Sequence, residues 1–127
     1  MEELQHSHDG IDNYEHILDM QKQLDMLFNN IKDNTDTAFE ILKMHENDTE
    51  QDVVDVYRIN CSDILDCEKL VEAKVNSFKE LSNALASKGK EEIVKELPKL
   101  EDLFDEIRQF EKSSTDLLYT LMKKINK

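Results

Sequence analysis

Five apolar residues recur at intervals of seven through the middle of the chain: Tyr57, Ile64, Val71, Phe78 and Leu85. Seven residues make about two turns of an α-helix, so these side chains share one face over roughly 42 Å. A strand could not present such a row, because its side chains alternate with a period of about two residues. The companion positions, Val53, Asn60, Cys67, Lys74 and Leu81, form a second row that mixes apolar and polar groups. Together the rows describe a long helix that packs against other helices. The supply of turn residues agrees. Two Gly and one Pro among 127 residues are too few to punctuate a sheet.

The same spacing runs through both flanking thirds. Tyr14, Ile17, Leu24, Phe28, Ile31, Ala38 and Leu42 form a stripe that Gln21 and Thr35 interrupt. Leu18, Met20, Leu27, Phe39 and Ile41 widen it, and a stripe that wide faces two neighbours. The carboxyl-terminal third carries Leu100, Phe104, Ile107, Leu118, Leu121 and Ile125, flanked by Leu103, Phe110, Leu117 and Met122 and interrupted by Glu111 and Ser114. Residues 1–10 read as a disordered leader and 11–127 as a single helical domain. Asp12 is placed to cap the first helix, with Glu15 three residues on. His45 to Asp48 reads as a loop, with Thr49 as the next cap. Gly89 fits a left-handed C′ position, and Lys90 to Leu97 a short helical turn or two. Pro98 starts or kinks the third helix. The expected fold is all-α: an elongated antiparallel bundle of three long helices, with a short extra helical turn before Pro98.

The formal net charge is −13, and it is unevenly spread. Residues 1–56 hold 15 acids and 3 bases, whereas residues 57–127 hold 14 acids and 13 bases. Phosphate backbones and anionic membrane surfaces are repelled by such a chain, so neither nucleic acid nor a lipid surface is an expected partner. No apolar run is long enough to cross a bilayer, so direct membrane insertion is not expected. The start of the chain lacks a basic, then apolar, secretory signal. A cytoplasmic location is expected, with the nucleus open. Cys61 and Cys67 lie six apart, about 9 Å along a helix axis and on diverging faces, too far to bridge each other. Two free thiols fit a reducing compartment.

Chemistry-bearing patterns are sparse. His6 and His8 beside Asp9 could share a metal, but no second ligand pair is near in sequence, and they read as a polar tail. Glu101, Asp102, Asp105 and Glu106 fall on the solvated side of the third helix, unsuited to acid–base work. No phosphate loop, nucleophile elbow, zinc signature or calcium loop occurs. No catalytic residue, metal, cofactor or small-molecule substrate is expected. The informative residues are polar groups at core-type positions: Gln21, Thr35, Asn60, Lys74, Glu111 and Ser114. Either they sit at the edge of the bundle and reach water, or some of them meet polar groups on another chain, where such groups fix register and partner choice.

The segment Leu118-Tyr119-Thr120-Leu121-Met122-Lys123-Lys124-Ile125 resembles the end of the KxDL-motif proteins. Their pattern there is Leu, two variable residues, two apolar residues, two bases and Ile. Thr115 and Leu117 stand where the name-giving Lys and Asp would be. The resemblance implies a small coiled-coil subunit of the biogenesis of lysosome-related organelles complex, or of its lysosome-positioning relative, peripheral to endosomes or lysosomes. The residues themselves predict a non-catalytic subunit of a hetero-oligomeric assembly that binds other helical proteins. Leu27, Phe39, Ile41, Leu103, Phe110 and Leu117 are the apolar positions expected to remain outward for a partner. Two other readings share the same physics: a self-contained three-helix module that captures a peptide, and a kinetochore or transcription-complex subunit.

Overall fold

The structure is a computed structural model, which describes the backbone of residues 2–47 and 49–126 and the side chains of 14–47 and 49–126. It consists of three long helices: α1 (Glu2–His45), α2 (Gln51–Leu85) and α3 (Lys90–Ile125). Their 44, 35 and 36 residues correspond to rods of about 66, 52 and 54 Å. Each rod packs along both of the others. The short linkers reverse the chain twice, so α2 runs antiparallel to α1 and α3, which are parallel to each other.

The heptad rows become the core. Ile64, Val71 and Phe78 are fully buried, as are Leu24, Ile31, Leu100, Ile107 and Leu121 from the other two helices. The core has two parts. One joins Ile17, Leu24 and Ile31 to Val71, Phe78, Leu100 and Ile107. The other joins Ala38 and Leu42 to Val54, Tyr57, Cys61, Ile64 and Leu121. Between them lies a polar waist. Asn34 Nδ2 donates to Ser114 Oγ at 2.7 Å and to Thr115 Oγ1 at 3.1 Å. Thr35 turns its hydroxyl back onto the Ile31 carbonyl at 3.1 Å.

Several helix boundaries differ from expectation, each for a local reason. The backbone is helical from Glu2, so Asp12 is interior to α1, and the segment read as a disordered leader continues the helix. Once the packed part of a helix exists, each further residue adds one hydrogen bond without a new nucleation cost. The His6–His8 pair falls outside the described side chains. Glu50, not Thr49, is the last residue before α2, and its carbonyl accepts from Val53 and Val54. Gly89 does not end α2 in a left-handed turn. Helix α2 stops at Leu85, where the Ala86 N–H reaches the Ser82 and Asn83 carbonyls in right-handed geometry. Gly89 is extended at φ −77°, ψ 170° and leads into α3. Its carbonyl accepts from Ile93 at 3.2 Å, and glycine is tolerated at such an N-cap.

The turns expected before Pro98 are present, but they belong to α3, which runs without a break through the proline. Proline forfeits the bond to the carbonyl four residues back, here that of Val94. Pro98 itself is exposed and Val94 is 49% exposed, so the loss falls on the wet flank while Ile93, Leu97 and Leu100 pack inward. Pro98→Ala should therefore stabilise the bundle by about 1–3 kcal/mol with unchanged far-ultraviolet circular dichroism. Urea unfolding followed at 222 nm (approximately the usual helical band) measures this; a lower midpoint would show that α3 depends on the proline.

Candidate functional site

Every pair of helices is pinned by at least one polar contact. Gln21 Nε2 donates to Ser82 Oγ at 2.7 Å and fixes the register of α1 on α2. The Asn34–Ser114 bond does the same for α1 on α3. Lys74 Nζ meets Glu106 Oε2 at 2.7 Å across α2 and α3, and Lys124 Nζ approaches Asn60 Oδ1 at 3.4 Å further along that seam. Thus Gln21, Asn60, Lys74 and Ser114, four of the six polar residues singled out by their heptad positions, join helices within the chain. Thr35 bonds its own helix. Glu111 is half-buried and lines an open groove with Leu27 and Arg108.

One of these contacts is incomplete. Asn60 is 7% exposed, and its Nδ2 has no hydrogen-bond partner. An unpaired buried donor costs about 1–3 kcal/mol.

The six apolar residues expected to face a partner divide unequally. Leu27, Leu103 and Phe110 are half-buried and pack against the first part of the core. Ile41 and Leu117 pack against the second. Phe39 alone remains on the surface, at 39% exposure. The stripes are wide enough for each helix to contact two neighbours, and those neighbours are its own.

Other apolar side chains are left outside. Leu18, Met26 and Val94 are scattered singly, which is ordinary for a protein surface. Two groups are not scattered. Met44 and Met122 flank a groove of about 170 Å³ where α1 and α3 end, with Ile41 and Ile125 beside them. Val53, Val56, Ile59 and Leu70 lie within one half of α2, Ile59 at 60% and Leu70 at 54% exposure. Val56, Ile59 and Leu70 occupy positions that the two inward rows do not use, whereas Val53 belongs to the companion row and is 37% exposed at the start of α2.

The inter-helix grooves are open and shallow. The carboxylates Glu101, Asp102, Asp105 and Glu106 are all exposed. Glu106 pairs with Lys74, and Glu101 lies 3.9 Å from the His16 imidazole. Among the described residues, no three His, Cys, Asp or Glu side chains are grouped to hold a metal ion. No described helix is long and apolar enough to cross a membrane. Both cysteines are free. The Cys61 thiol is buried and donates to the Ala38 carbonyl at 3.3 Å, and burial raises its pKa. Burial also raises the pKa of Cys67, with the charges of Asp63 and Asp66 adding to the shift.

Two outcomes follow. Asn60→Leu removes the unpaired donor and should leave the bundle as stable as before, or up to about 1 kcal/mol more stable, in thermal unfolding; a clear loss would show that the amide has a partner. A raised thiol pKa means less thiolate at a given pH, so Cys67 should alkylate more slowly than a free cysteine near pH 8 (roughly the usual thiol range). Asp63→Asn with Asp66→Asn lowers that pKa and should speed iodoacetamide labelling, read by mass spectrometry; an unchanged rate would remove the carboxylates as a cause. No family model matches the chain, and no curated protein or solved structure matches it.

Proposed function

We propose that this protein is a non-catalytic helical subunit of a multi-protein assembly and acts by binding helices of other proteins. The observation that carries this reading is the grouping of exposed aliphatic side chains on α2 after the three helices have closed their own core. Apolar surface left in water is unfavourable by about 25 cal/mol per Å², and grouped patches of it mark binding faces. The grooves between the helices are open to solvent among the described residues. The carboxyl-terminal resemblance to KxDL-motif proteins extends the proposal to a peripheral role in endosomal or lysosomal trafficking, in the cytoplasm.

A closed internal core favours one variant, a self-contained three-helix module that docks its partner on the outside. The register pins satisfy most of the core polar groups within the chain, so no partner strand of helix is needed to complete the bundle. Native size separation of a cell extract tests the reading. The chain, 14.9 kDa alone, should migrate in a much larger assembly together with other helical proteins. The purified chain should melt cooperatively as a monomer. Migration of the whole cellular pool as free monomer would sink the assembly role.

A further inference from the structure

We propose that the outer face of α2, continuing into the groove between α2 and α3, docks an amphipathic helix of another protein that carries Lys or Arg beside its apolar stripe. This deepens the helix-binding reading and rests on it. Counted from the buried row Tyr57, Ile64, Val71, residues 52, 56, 59, 63, 66 and 70 fall on a second line with alternating steps of four and three. Val56, Ile59 and Leu70 are the apolar residues on that line, and Asp52, Asp63 and Asp66 are the others. The bundle does not cover the line: Val56, Ile59 and Leu70 are 40%, 60% and 54% exposed, and Asp52, Asp63 and Asp66 are exposed too. Helix α2 therefore has one face packed against α1 and α3 and an opposite face on which aliphatic and acidic side chains are exposed together.

The line leads into a cleft. Lys74 and Glu106 bridge α2 to α3 and, with Phe110 and Ser113, line a groove of about 300 Å³. Lys74 lines this groove and follows Leu70 by about one helical turn, so a helix laid along Val56, Ile59 and Leu70 has the groove next to its far end. The small Ser113 side chain allows close approach there, and the half-buried Phe110 offers an apolar floor.

Charge selects the occupant. In chain order the line reads Asp52, Val56, Ile59, Asp63, Asp66 and Leu70, three carboxylates with three aliphatic residues and no Lys or Arg. None of the three Asp takes part in an ion pair within the described residues. A second copy of this chain would bring like charge to like charge, on a molecule with formal net charge −13. A basic amphipathic helix covers the aliphatic groups and pairs the carboxylates at the same time.

The test titrates the full chain with a synthetic Leu/Lys amphipathic helix of about five turns, read by fluorescence anisotropy and amide shift mapping. A scrambled peptide of the same composition and a Leu/Glu peptide of the same pattern serve as comparisons. The expected result is binding that shifts residues 52–70 and the Phe110–Ser113 groove, at least about tenfold weaker for either comparison peptide. The double variant I59S/L70S should weaken it about tenfold, and D63N/D66N severalfold with a shallower salt dependence. Leu18→Ser and Met44→Ser, on other faces, should change nothing. Equal binding of the scrambled or Leu/Glu peptide would overturn the proposal. So would a dimer of the chain alone that Ile59→Ser abolishes. Shifts confined to the Met44–Met122 groove would overturn this docking face while leaving the helix-binding reading intact. Absence of helix binding at any face would overturn both.

Discussion

Burying three wide apolar stripes against one another is the constraint from which the rest of this structure follows. A long helix in water gains little from its own hydrogen bonds, and most of its stability comes from covering one face. Here each stripe spans enough of the helix circumference to reach two neighbours, and the chain supplies both. The helices lie side by side along their length because the apolar rows run that far. What remains outward is then decided by geometry. Each helix keeps an arc that no other part of the chain covers, and the content of that arc is where function can reside.

Polar residues within the seams limit how the rods slide. An apolar seam alone tolerates a shift of one heptad, because the pattern repeats. The Gln21–Ser82, Asn34–Ser114 and Lys74–Glu106 contacts each exist in one register only. The waist formed by Asn34, Thr35 and Ser114 gives up apolar burial in the middle of the bundle and divides the core in two. That exchange trades some stability for a defined alignment. Asn60 is the exception, with one amide hydrogen-bonding group accepting from Lys124 and the other unpaired.

Charge and apolar exposure meet on α2. Most of the excess acids lie in the first part of the chain, and like charges repel. Asp63 and Asp66 stand between Ile59 and Leu70, so the exposed aliphatic side chains of α2 have carboxylates as neighbours.

The three helices, their order and the inward rows were legible in the sequence, because a period of seven in hydrophobicity has one structural meaning. Tyr57, Ile64, Val71 and Phe78 all went where that period put them. The helix ends were less legible. Whether Gly89 closes α2 or opens α3 depends on where neighbouring helices stop making contact, and Pro98 is tolerated within α3 because its flank faces water. The outward residues were the least legible. Leu27, Ile41, Leu103, Phe110 and Leu117 stand beside inward rows, and only the closeness of two packed neighbours turned them toward the core. Sequence determined that greasy rows exist and how they are spaced. Tertiary structure decided which of them are covered, since coverage is a relation between helices and no single helix contains it.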